Sequence, residues 1–157
     1  MSCLLQPRFL VPGLSVLISA PLCLSPAVLA APQRPVQFFN PPQSATPFSE
    51  AVQVGRYLYL SGQMGLIPGR GVLSPGGLVP ETKQALANTK ATLERYGYTM
   101  GDVIKCTVLL ADMSDFAAFN SLYLSAFSKP YPVRTLFAVK GLAFGGRVEL
   151  DCIASKS

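Results

Sequence analysis

Two charged side chains stand where the strands around them call for apolar ones. Arg134 interrupts the run P-V-R-T-L-F-A-V, residues 132–139, and Glu149 interrupts R-V-E-L-D-C-I-A, residues 147–154. A guanidinium offers a planar fork of donors to a carboxylate, and a carboxylate can take a proton from water. A buried charge of either sign is costly without a partner, so each residue implies one. Either the two neutralise each other across adjacent strands, or they serve catalysis. Residue types alone favour the ion pair, because structural pairs outnumber catalytic ones.

Composition narrows the chemistry further. The 157 residues contain no histidine, which excludes Ser-His-Asp and Cys-His catalysis. No Gly-rich phosphate loop of the GxGxxG or Walker type occurs, and cysteines without histidine make a poor zinc site. The thirteen Lys and Arg against eight Asp and Glu give a net charge of +5, but the basic residues are scattered singly. Nucleic-acid binders concentrate such charge on one face, so no nucleic-acid partner is expected. A chain 50% hydrophobic and 13% charged is folded, and its length suits one domain.

The elements that must position Arg134 and Glu149 follow from local pattern. Residues 36–39 suggest a short edge strand. Residues 51–54 and 57–61 alternate around Gly55-Arg56 as a tight hairpin. Six glycines and three prolines over 62–80 read as a long loop, a common seat of function. A helix is predicted over 81–96, with Thr82, Leu86, Thr89, Leu93 and Tyr96 on one face and Gly97 as its stop. A strand over 103–110 follows. Asp112 is then predicted to cap a second helix that buries Phe116, Phe119, Tyr123, Ala126 and Phe127. Strands over 135–139 and 147–154 close the chain. The order βββαβαββ implies an α+β domain, two helices on one face of a mixed sheet.

The first thirty residues differ from the rest. They carry one charge, Arg8, then an apolar run over 14–24, a break at Pro26, and small residues at Val28 and Ala30. This is the anatomy of a cleavable signal peptide, with export to the periplasm or medium and the folded domain over 31–157. Proline and glycine interrupt the run, so no stable membrane anchor is expected. If translation starts later in the chain, the protein is cytoplasmic instead. Cleavage leaves Cys106 and Cys152. Both are predicted to point toward the helices: Cys152 by parity with Val148 and Leu150, Cys106 by parity with Ile104, Val108 and Leu110. Reduced apolar filler is the preferred reading, since a bridge requires neighbouring strands with Cα atoms within roughly 7 Å.

From Pro47 onward the sequence resembles the Rid family of small imine deaminases (RidA/YjgF-like). The matching stretches are P-F-S-E-A-V, L-Y-L-S-G-Q, T-K-Q-A-L-A-N-T-K-A-T-L-E and D-V-I-K-C-T-V-L-L-A-D-M-S-D-F-A-A-F-N-S-L-Y, then P-V-R-T followed by V-E-L. The resemblance implies a chorismate-mutase-like fold, a homotrimer whose sheets form a central barrel, and clefts between neighbouring subunits. It implies hydrolysis of 2-imino acids (imine or enamine forms) to 2-keto acids and ammonia. In that scheme Arg134 holds the substrate carboxylate and Glu149 activates water. Gly62 would contribute a backbone contact, and Asn120 and Phe48 would line the cleft. No metal or organic cofactor is implied, because a protonated imine is already an electrophile. The sequence departs from the family in carrying Phe48 for the usual tyrosine and Glu50 for the common glutamine, and the connection over 128–133 is short. Those departures and the export signal motivate a second reading, a trimer that binds small carboxylates or a partner protein without turnover.

Overall fold

The computed structural model describes residues 35–40 and 46–156, so the signal peptide expected over 1–30 lies outside the described residues. One six-strand path forms the sheet. Strand β1 (Gln37–Phe39) pairs with β2 (Ala51–Val54), and β2 with β3 (Tyr57–Leu60) through the two-residue turn Gly55-Arg56, Gly55 taking φ 61°. Helix α1 (Leu78–Arg95) leads to β5 (Val103–Leu110), and α2 (Phe116–Ala126) to β6 (Val133–Ala138) and β7 (Val148–Ser155). Spatial order is β1-β2-β3-β7-β5-β6, with β5 and β6 parallel and the other pairs antiparallel. This is the predicted mixed sheet with two helices. A further short strand, β4 (Gln63–Met64), pairs with β7 inside what reads from sequence as loop.

Alternation sets which face is covered. Leu58, Leu60, Cys106, Val108, Leu110, Val148, Leu150 and Ala154 point inward and are buried with Ala85, Leu86 and Leu93 of α1 and Phe119 and Tyr123 of α2. Their burial against the helices is the main driving force for the fold. Helix α1 starts at Leu78, three residues before the predicted start, because Pro80 falls in the first turn, where a missing N–H costs nothing. It ends as predicted: Gly97, at φ 78°, donates to Glu94 O and Tyr98 to Leu93 O, the two bonds of a Schellman motif. Asp112 Oδ1 accepts from Ser114 N and caps a 3-10 turn (Met113–Asp115) that feeds α2. Phe116, predicted to be buried, is the first residue of α2 and is 39% exposed.

Two sequence expectations are overturned. The cysteines are not reduced: Cys106 and Cys152 are directly opposite on β5 and β7, with Cα atoms 4.2 Å apart, and form a disulfide. The parity reading did place both on the helix side, where they are 0% and 1% exposed. Strand adjacency, invisible in the sequence, turned two fillers into a bridge. Second, Ile104 does not share the face of Cys106. Val103 pairs with Ala154 while Lys105 pairs with Ile153, so Ile104 is an extra residue in a β-bulge and is turned outward.

Candidate active site

Strands β3 and β4 share one edge of β7, and the chain jogs between them. Tyr59 sits opposite Ile153 and Gln63 opposite Leu150, so four steps on one side span three on the other. The irregularity falls at Ser61-Gly62 and leaves a gap beside Glu149. Gly62 fills it without displacing Glu149: a Cβ there would lie 1.9 Å from Glu149 Oε1 and push the carboxylate aside. Glu149 is therefore held against a bare backbone, half-buried, on the sheet face opposite the disulfide. Desolvation by burial, and then the charge of Asp151, hold its carboxyl above the ordinary 4.5. A carboxylate with raised proton affinity at the wall of a cleft suits taking a proton from water and returning it.

The cleft itself is a cavity of about 840 Å³. Glu149, Gly62 and Phe48 line it together, with an apolar wall from Met64, Leu66 and Ile67 and a rim at Phe144. Asn88 of α1 secures the wall by donating to Met64 O at 2.9 Å and Leu66 O at 2.8 Å. At the far end Glu50 accepts from Arg95 and, at 2.5 Å, from the Tyr96 hydroxyl. The Glu50 carboxylate is thus bonded by its own neighbours. Below Glu149, Glu81 is 5% exposed and accepts from Arg147 N at 2.7 Å, tying α1 to the start of β7. Sequence pattern marked Glu81 only as a helix start. Its signal was a carboxylate on the same face as Ala85 and Leu86.

Arg134 and Asn120 lie elsewhere. Arg134 pairs in register with Cys106, on the helix-covered face, whereas Glu149 pairs with Leu109 on the open one. Strand β5 stands between their strands, so the expected neutralising pair across adjacent strands does not form. Among the described residues the ion pairs are Lys90–Glu94, Arg95–Glu50 and Arg147–Asp115. Arg134 instead donates to Asn120 Oδ1 at 2.9 Å, and its guanidinium lies 4.6 Å from the ring centre of Tyr123. Stacking on aromatic faces holds a guanidinium while leaving its other N–H groups to a ligand. One chain therefore carries the Glu149 carboxylate and the Arg134 guanidinium on opposite faces of its sheet. Among the described residues no group of three or more His, Cys, Asp or Glu gathers as a metal site, and no helix is long and apolar enough to cross a membrane.

The chain is similar to known proteins in sequence and in fold. A 2-iminobutanoate/2-iminopropanoate deaminase from Capra hircus is 46% identical over 113 residues, 72% of this chain and 82% of that protein. The protein of the same name from Mus musculus is 47% identical over 113 residues, 72% of this chain and 84% of its own. Among solved structures, RidA from the Antarctic bacterium Psychrobacter sp. superposes with a TM-score of 0.71 at 36% identity, covering 76% of this chain and 99% of that one. Residues 39–156 match the family described as Endoribonuclease L-PSP, and the chain belongs to that family, which includes the Rid proteins.

Proposed function

We propose that the protein is a 2-imino-acid deaminase that works as a trimer, each cleft built from Glu149 of one protomer and Arg134 of the partner subunit. The observation that carries it is the Glu149 carboxylate, proton-hungry and pressed on Gly62 at the wall of the cavity. The deaminase names of relatives 46% and 47% identical support it. Assembly is supported by the open sheet face, where Tyr57, Tyr59, Val133 and Phe137 are 37%, 43%, 67% and 44% exposed. An apolar face of that kind needs a cover, and three copies closing in a ring supply it.

The reaction follows from these groups. Arg134 of the partner subunit holds the substrate carboxylate, and Asn120 braces that guanidinium. Glu149 takes a proton from water as the water oxygen bonds to the C=N carbon, giving a tetrahedral carbinolamine. Glu149 returns that proton to nitrogen, then accepts the hydroxyl proton as the oxygen re-forms a carbonyl and the C–N bond breaks, and ammonia leaves with a 2-keto acid. Water in and ammonia out balance the step. RNA cleavage finds less support, since the chain has no histidine and its basic residues are dispersed.

The test is imine hydrolysis above the enzyme-free rate, with imines generated in situ by an amino-acid oxidase. Removing a general base costs roughly 10²–10⁴-fold, so Glu149→Gln should fall by that range. Arg134→Ala should weaken substrate capture as well. Equal rates in wild type and both variants overturn the reading. No turnover by wild type, with 2-keto-acid affinity unchanged in Glu149→Gln, would favour the binding-only trimer. A sedimentation mass near one subunit would overturn the shared cleft.

We also infer export. The apolar run over 14–24, the small residues ending at Ala30 and the disulfide all suit an oxidising compartment. A secreted or periplasmic form beginning at Ala31 is expected. A cytoplasmic protein retaining residue 1 would refute it.

A further inference from the structure

One protomer contributes a cleft of about 840 Å³ beside Glu149, which the partner subunit closes in the proposed trimer. A 2-imino acid of three or four carbons has about half a dozen heavy atoms, too few to touch the whole of that wall. Two large aromatic rings line it while remaining open to solvent, Phe48 at 58% and Phe144 at 72% exposed. Phe144 is also a non-glycine residue held in the left-handed region, at φ 57° and ψ 12°. Bulky side chains rarely adopt that conformation, and where one does the strain is commonly part of a working site. Here it presents an apolar ring at the rim of the cleft.

Charge at the other end points the same way. Glu50 is already bonded by Arg95 and Tyr96, so that end offers no free charge to a second ionic group on a ligand. Met64, Leu66 and Ile67 complete an apolar wall. We propose that Phe48 and Phe144 form an aromatic clamp for the substrate side chain, and that the enzyme prefers 2-imino acids with aromatic or other large apolar side chains. This rests on the deaminase reading and specifies its substrate class. The side chain would lie between the two rings, with the imine carbon at Glu149. Stacked or edge-on ring contacts would then add to area burial.

The experiment compares imines generated by an amino-acid oxidase from phenylalanine and from alanine, and in parallel measures binding of phenylpyruvate and pyruvate by calorimetry. The wild type should favour the aromatic member at least tenfold in kcat/KM and in affinity. Phe144→Asn removes the ring but keeps a residue that tolerates the left-handed backbone, and should reduce that ratio about tenfold. Phe144→Tyr should restore it. Turnover of both imines without an aromatic preference overturns the clamp and leaves the deaminase reading standing. If neither imine is hydrolysed the deaminase reading falls, and equal binding of phenylpyruvate and pyruvate then overturns the clamp as well.

Discussion

Reducing the Cys106–Cys152 bridge perturbs this fold without removing a single buried carbon. The bridge joins positions 46 residues apart on the central pair of strands. In the chain-entropy account, closing a loop of that length removes unfolded-state freedom equivalent to about 4 kcal/mol at 25 °C. Both sulfurs are inaccessible, so reduction requires opening of the β5–β7 ladder and should be slow in native protein. For a domain of this size each kcal/mol moves Tm by roughly 3–6 °C, so the reduced protein should melt about 12–24 °C lower. The assay is calorimetry of oxidised and fully reduced samples at one protein concentration, with thiols counted after denaturation. Two free thiols in the unreduced, denatured protein would show that the bridge is absent. Superimposable melts of verified oxidised and reduced samples would refute the entropic argument instead.

Four further outcomes follow from the cleft and its supports. Gly62→Ala puts a methyl group where Glu149 Oε1 now lies, and the carboxylate can yield by rotating away. Tm should therefore change little while kcat/KM falls about 10²-fold, the scale of an ångström misplacement, and unchanged activity would refute the contact. The raised proton affinity of Glu149 places the acid limb of kcat/KM above the ordinary glutamate range, and Asp151→Asn, removing the second cause, should move that limb downward. The same shift bears on stability: the native state keeps its proton where the unfolded chain has lost it. Stability should fall as pH rises from about 4.5 through the raised value and then level off, and Glu149→Gln should flatten that slope. Glu81→Ala leaves the Arg147 N–H without its acceptor, and denaturant titration should register a loss of about 1–3 kcal/mol.

Local pattern carried much of this molecule. Alternation in residues 105–110 and 148–155 told inward from outward side chains, because a pleated strand keeps a period of two wherever no bulge interrupts it. Gly97 ended α1 and Asp112 opened the approach to α2, since caps act within a few residues of themselves. Arg134 and Glu149 were legible as misfits for the same reason: a charge in an apolar strand needs a partner wherever the strand lies. Partners themselves are set by tertiary structure. Only the register of β5 on β7 made Cys106 and Cys152 opposite numbers, and only the strand order put β5 between Arg134 and Glu149 and turned them to opposite faces. The jog at Gly62 and the bulge at Ile104 are mismatches between two strands, and a mismatch has no signature in either strand alone. Sequence thus determined which residues demand company, because desolvation and backbone geometry are local costs. The fold decided which company each one keeps, because pairing joins segments that lie tens of residues apart along the chain.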